Sequence, residues 1–236
     1  MPNQPPELYH NRETTRHFLY SKAEAEGPEK KRIYIPARIQ KAIQSVYPGL
    51  LTGHAFIDRA EQQLASAAIF ACLVFQIDDT AGSDPERPKP DAADEHQKAA
   101  KLFDVFCKNN KGSWGLINSG LFGAFFEGKN ASQCLRLVHK FQDKLVKQTD
   151  ITVSAGIAEY PTLRYQPAEM LTNALKALDH AAFFGPGSTA IFDTVSLNIS
   201  GDRLFDKGDI QGSISEFQLA LKLNPSNINV HNSLGV

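Results

Sequence analysis

The chain is polar and broken by prolines through about residue 45, and from Leu50 its apolar positions recur with periods that switch between helix and strand. "TGHAFIDRAEQQL" sets Phe56, Ala60 and Leu64 at i, i+4 and i+8, one stripe of a helix. "AIFACLVFQI" (68–77) is an unbroken apolar run rich in β-formers, which predicts a strand buried on both faces. "DTAGSDPERPKPDAAD" mixes prolines with charge and predicts an exposed loop. "DEHQKAAKLFDVFCKNNKG" spaces Ala99, Phe103 and Phe106 as a helix does and stops at Lys111-Gly112, read as a glycine cap. In "GLINSGLFGAFFEG", strands near 113–117 and 121–126 flank a tight turn at Asn118, Ser119 and Gly120.

"SQCLRLVHKFQDKLVKQT" places Cys134, Val138, Phe141 and Leu145 on one helical stripe, with Ser132 as the expected N-cap. "ITVSAGIA" alternates Ile151, Val153, Ala155 and Ile157, a strand with one dominant buried face. "QPAEMLTNALKALDHAA" opens on Pro167 and carries Leu171, Ala174, Leu178 and Ala181 as its stripe; "STAIFD" closes as a short strand. The order is helix, β-α-β-β-α-β, helix, strand. That is a ferredoxin-like α+β arrangement, with helices expected on one face of a mainly antiparallel sheet. Residues 1–46 form a polar, proline-broken segment, helical in parts such as "ETTRHFLYSKAEAE" but without a core. Residues 47–193 form the sheet domain and 194–236 a helical extension.

Charge narrows the function classes. With 25 basic and 26 acidic side chains the chain has no long-range field to attract a phosphate backbone, which excludes non-specific nucleic-acid binding. The run Glu29–Arg32 reads as a solvated linker. Cys72, Cys107 and Cys134 lie far apart in apolar surroundings, as reduced thiols of a cytosolic core do, and the seven histidines lack ligand spacing. Asn130 and Asn198 open glycosylation patterns that carry no meaning in a cytosolic chain. No apolar run reaches membrane-spanning length and the N-terminus is no signal peptide, so the expectation is a soluble, cytoplasmic protein without a membrane contact.

Over about 47–193 the chain resembles the GGDEF domain of bacterial diguanylate cyclases, enzymes that join two GTP molecules into cyclic di-GMP. "GLLTGHAFIDRAEQQL" is similar to the family's opening "D-x-L-T-G-L-x-N-R"; "ITVSAGIAEYP" matches its "T-V-S-x-G-I-A" strand. "ALKALDHAAFFG", with Gly185, sits where the family has "A-D-x-A-L-Y-x-A-K-x-x-G". The resemblance implies a nucleotidyl cyclase-like fold. It also implies metal ions held by a carboxylate at the end of the first strand and by an acid in the G-G-D/E-E-F turn, because the attacked phosphate needs its charge neutralised. Here Gln76 stands at the first ligand position, with Asp78 two residues on. The turn aligns as Asn118, Ser119, Gly120, Leu121 and Phe122, of which only Phe122 survives. An amide is a poor ligand for a hard cation and Gly120 offers no side chain.

Two further elements depart. The regulatory "R-x-x-D" falls on Asn109 and Gly112, and the proline-rich loop 83–90 replaces the substrate-binding stretch. A two-residue slip would bring Asp78 into the ligand position, yet no acid lies between Lys111 and Phe126 to complete the pair. The plainest reading of Asp78 and Asp79 is strand-end residues facing water. No catalytic residue and no metal are therefore expected, and no cofactor unless magnesium with GTP serves an active cyclase.

"GDRLFDKGDIQGSISEFQLALKLNPSNINVHNSLGV" resembles a tetratricopeptide (TPR) repeat. Leu204, Gly208, Phe217, Ala220 and Pro225 fall at the spacing of its large–small–large interlock, with Gly201 at the small position of the first helix and Ser213 where alanine is usual. Leu234-Gly235 lies one 34-residue period after Ser200-Gly201, the start of a second repeat. A single repeat cannot bury its own apolar face, so the expectation is a fragment of a longer array whose helices dock on the sheet domain or pair with another copy. The resemblance implies protein partners. Three functions follow: a non-catalytic signalling or scaffolding module, a receptor for cyclic di-GMP or another nucleotide, or an active cyclase.

Overall fold

The computed structural model describes residues 34–78 and 91–235. The N-terminal stretch through residue 33, with its basic run, and the loop 79–90, with Asp79 and the proline-rich segment, lie outside the described residues. Two helices come first, α1 (Ala37–Val46) and α2 (His54–Leu64). They are followed by β1 (Phe70–Ile77), α3 (Ala92–Asn109), β2 (Ser113–Asn118), β3 (Leu121–Glu127), α4 (Ala131–Gln148) and β4 (Val153–Tyr160). Then come α5 (Met170–Ala181), β5 (Thr189–Ile191), α6 (Thr194–Asp206), α7 (Ile210–Leu223) and α8 (Ile228–Leu234). The strands form one sheet in the order β2-β3-β1-β4-β5. β1 is central and antiparallel to both β3 and β4, while β4 and β5 run parallel.

One sheet face carries Ala71, Leu73 and Phe75 of β1, Phe122, Ala124 and Phe126 of β3, and Val153, Ala155 and Ile157 of β4. It packs on Phe103, Phe106 and Cys107 of α3 and on Cys134, Val138, Phe141 and Leu145 of α4. Four rings, Phe75, Phe103, Phe106 and Phe141, form its centre, with Phe75 and Phe103 meeting edge-to-face at 4.7 Å between centroids. The opposite face is also covered, against the expectation of helices on one side. A Cβ built on Gly156 of β4 would lie 2.0 Å from the carbonyl oxygen of Ala174 in α5. On β2 and β3, Gly115 and Gly123 are register partners, and a Cβ on either would strike the Phe56 ring of α2, at 2.3 and 2.7 Å. The small residues that made this face of "ITVSAGIA" read as unburied are what let helices approach the backbone.

Local chemistry also differs at two helix ends and on one helix face. Asn130, not Ser132, caps α4, and Gln133 completes the capping box. After α3 the left-handed residue is Lys111 (φ 58°), not Gly112; Gly112 is small because a Cβ there would meet the Phe126 ring at 2.3 Å. In α5 the buried positions are Met170, Asn173, Ala174, Lys176, Ala177 and Ala181, whereas Leu171 and Leu178 are only half-buried. Two polar residues on that list mean that α5 is covered on a second side.

That cover is the C-terminal helices, and the described residues from Ile35 onward make one compact unit. Within it α6 and α7 interlock as the repeat pattern requires. A Cβ on Gly201 would lie 2.4 Å from the Phe217 ring, and Phe217 and Ala220 are buried while Leu204 is half-buried. Gly208 (φ 80°) closes α6, with its own N–H bonded to Phe205 and the Asp209 N–H bonded back to Leu204 at 2.9 Å. Pro225 is exposed between α7 and α8, and His231 Nε2 pairs with its carbonyl oxygen. The three cysteines are free and buried; burial pushes the Cys134 thiol up to about 12. No described helix is long and apolar enough to cross a membrane.

Candidate functional site

The residues singled out in the sequence meet at the C-terminal end of β1. Gln76 pairs in register with Leu121 on one side and Ser154 on the other. The next residue, Ile77, donates its N–H to the carbonyl of Gly120 at 2.8 Å, which draws the hairpin turn alongside β1. In that turn Asn118 Oδ1 accepts the Ser119 N–H at 2.8 Å, and Gly120 takes φ +69°, the left-handed geometry a two-residue hairpin loop needs. Asn118, Gly120, Leu121 and Phe122 are buried, Ser119 half-buried.

Gly120 therefore faces the Gln76 side chain. A Cβ at Gly120 would stand 2.9 Å from Gln76 Nε2 and 3.5 Å from Nε2 of His96, a residue that no sequence pattern singles out. His96 lies in the first turns of α3, where its Nδ1 pairs with the Ala92 carbonyl, and only 7% of it is exposed. With Nδ1–H donating, Nε2 turns a bare lone pair into this space and, among the described residues, meets no hydrogen-bond partner. Burial lowers the pKa of His96, opposed in part by the Ala92 carbonyl. Gln76 Nε2 donates to the Ile77 carbonyl at 3.2 Å.

Asp78 is turned elsewhere. Its carboxylate accepts from Ser154 Oγ at 2.7 Å and from the Gly187 N–H at 2.8 Å, so both oxygens belong to the β4–β5 flank rather than to the Gly120 flank. It is half-buried and ties the edge strand to β1, which corrects its reading as a strand-end residue facing water. Asn109 is exposed at the end of α3 and Gly112 is half-buried against Phe126, so neither brings a charge to that position.

Among the described residues, the groups gathered around Gly120 are the Gln76 amide and the His96 imidazole, and Gly120 itself brings no side chain. A magnesium ion demands several hard oxygen ligands in octahedral geometry, and this donor set does not fit it. Among the described residues no three His, Cys, Asp or Glu side chains come together as a metal site.

The pKa of His96 has a measurable consequence. Because the folded value is depressed, the unfolded chain binds the proton first, and stability falls as pH drops through the ordinary histidine value of about 6.5. We expect the unfolding midpoint to fall between pH 7.5 and 5 by clearly more in the parent chain than in His96→Leu, since removing the imidazole removes its share of the slope. Equal slopes would show that the His96 ring is solvated.

Similarity to solved structures fits this arrangement. The chain superposes on the GGDEF domain of DgcB from Caulobacter crescentus, solved with c-di-GMP, at TM-score 0.52 and 17% identity over 60% of this chain and 91% of that one. It superposes on the GGDEF domain of YfiN (TpbB) from Pseudomonas aeruginosa at TM-score 0.52 and 18% identity, over 61% and 98%. A shortened form of that second protein, comprising only the GGDEF domain, gives 0.53 and 16%, over 70% and 98%. The sheet and its helices have the GGDEF-domain fold. Residues 201–236 match the family described as TPR repeat. No curated protein matches the chain in sequence. At these identities the GGDEF likeness concerns the fold, and the chemistry is judged from the residues at the end of β1.

Proposed function

We propose that this chain is a cytoplasmic signalling or scaffolding protein whose GGDEF-fold module does not make cyclic di-GMP, and whose TPR helices bind protein partners. The observation that carries the reading is the contact between Gly120 and the Gln76 amide. The two places where the fold would present acids to a metal-bound triphosphate hold Gln76 and Gly120, and the carboxylate two residues beyond Gln76, Asp78, is committed to Ser154 and Gly187. Phosphoryl transfer draws most of its acceleration from metal and charge placed around the phosphate, so this geometry lacks the main source of rate.

Purified protein incubated with GTP and magnesium should form no cyclic di-GMP above a no-protein control. The Gly120→Glu variant should stay silent too, because its new side chain meets Gln76 at 2.9 Å from a left-handed backbone. Cyclic di-GMP formed by the parent chain and lost in Asp78→Ala would replace this reading with an active cyclase. Calorimetry with cyclic di-GMP and with GTP separates a scaffold from a nucleotide receptor: heat of binding at micromolar ligand would favour the receptor.

A further inference from the structure

Helix α5 has two buried sides of opposite character. Met170, Ala174, Ala177 and Ala181 are apolar, and the backbone at Ala174 rests on Gly156 of the sheet. The other side carries Asn173, Lys176, Asp179 and His180, and three of these four pair with the C-terminal helices. Lys176 Nζ lies 2.7 Å from Glu216 Oε1 of α7, with the two side chains only 8% and 14% exposed. Asp179 pairs with Arg203 of α6. His180 Nδ1 is 3.4 Å from Asp193 Oδ1, the carboxylate that caps α6 through the Ser196 N–H. Burial pushes the Asp193 carboxyl up, but the bonds from His180 and Ser196 together outweigh it and hold it below its ordinary value. A polar ridge on a helix normally faces water. Here Asn173 and Lys176 are buried and Asp179 and His180 half-buried, and Lys176 and Asp179 are met by opposite charges from the C-terminal helices.

A tetratricopeptide repeat draws its stability from the neighbour stacked on each side, and an end repeat needs a cap. The segment preceding α6 is β5 and the sheet, so no repeat stands on that side; α5 does. We propose that α5 of the GGDEF-fold module is the N-terminal capping helix of the repeat, locked in register by Lys176–Glu216 and Asp179–Arg203, so that sheet module and repeat behave as one cooperative body. The charges set the register as well as the contact. A helix slipped by one turn would leave Lys176 buried without its anion, and a buried unpaired charge is far more costly than an exposed one. Among the described residues the Asn173 side chain and the Ser213 hydroxyl, each residue 1% exposed, meet no hydrogen-bond partner, so the junction's polar specificity rests on the paired charges.

The test uses the whole chain and reads no nucleotide, so its result is independent of the cyclase assay. The single tryptophan, Trp114 in β2, reports on the sheet module. Hydrogen exchange of peptides from α6 and α7 reports on the repeat. In the parent chain both signals should be lost at one denaturant midpoint. Glu216→Lys places two cations together and should speed exchange in α6 and α7 by about tenfold or more while Trp114 keeps its native emission. The charge swap Lys176→Glu with Glu216→Lys should restore most of the protection; Lys222→Glu, on the exposed side of α7, should change nothing. If Glu216→Lys unfolds the whole chain, Glu216→Gln, which keeps the shape, should give the same local acceleration in milder form. Unchanged exchange in both Glu216 variants, or a swap that restores nothing, would overturn the proposal.

Discussion

Replacing Gly156 with valine should be among the most damaging single changes available in this chain, lowering the unfolding midpoint sharply or preventing folding. Gly156 lies in the middle of β4, paired with Val74 on one side and Ala190 on the other, so the strand cannot shift to relieve a clash without breaking two ladders. The first carbon of any side chain would fall 2.0 Å from the Ala174 carbonyl oxygen and 2.3 Å from the Leu178 nitrogen. Both are backbone atoms, so no rotamer change makes room. Inserting even one methyl into a packed core costs about 1–3 kcal/mol, and a valine against fixed backbone should reach or exceed the upper end. That is a large share of the roughly 5–15 kcal/mol that holds a domain folded. Because α5 also contacts α6 and α7, helicity should be lost in the repeat as well as at the sheet. Urea unfolding followed by circular dichroism checks this, and a parental midpoint would show that α5 does not rest on the strand.

The same glycine shows what the sequence could and could not convey. The alternation Ile151, Val153, Ala155, Ile157 announced one buried face of β4, and those residues do lie against α3 and α4 or at their edge. The other face, Ser154, Gly156 and Ala158, gave no hydrophobic signal. It is buried because its residues are small enough to admit a helix backbone, a property that periodicity cannot register. Gly115 and Gly123 beneath Phe56 repeat the lesson.

At the end of β1 the residues chosen from the sequence do come together: Gln76 and Gly120 are neighbours, and the turn Asn118–Ser119–Gly120 has the predicted geometry. Two things were hidden. The direction of Asp78 depends on Ser154 and on Gly187, more than a hundred residues away, and no local pattern points to either. His96 reads as one polar residue on an ordinary helix, and only the tertiary contact with the turn reveals its buried nitrogen. In the repeat, by contrast, Gly201 and Phe217 were legible at once, since that interlock is formed by residues at fixed local spacing. The polar ridge of α5 was not. Lys176 and Asp179 look like solvated charges until Glu216 and Arg203 are brought against them.

Phe103→Ala should be the other severe variant, and it bears on the cleft as well as on stability. The Phe103 ring meets Phe75 at 4.7 Å, Phe122 at 5.4 Å, Trp114 at 5.5 Å, Phe141 at 5.6 Å and Phe106 at 5.8 Å between centroids. No smaller side chain can hold five rings apart, and truncating a buried phenylalanine costs about 3–5 kcal/mol through lost burial plus the cavity left behind. For a chain of this size the melting temperature should fall by roughly 6–20 °C. Phe103 stands seven residues beyond His96 on α3, and Phe122 follows the hairpin turn by two residues, so this ring cluster underlies both walls that meet at Gly120. Trp114, which also donates to Asp104 at 3.0 Å, should report the loss as a red-shifted emission in the still-folded variant. His96→Leu should leave that emission unchanged. A Phe103→Ala chain with a parental melting temperature and an unshifted tryptophan would mean that α3 is not packed against the hairpin, and the positions of His96 and Gly120 relative to each other would then lose their support.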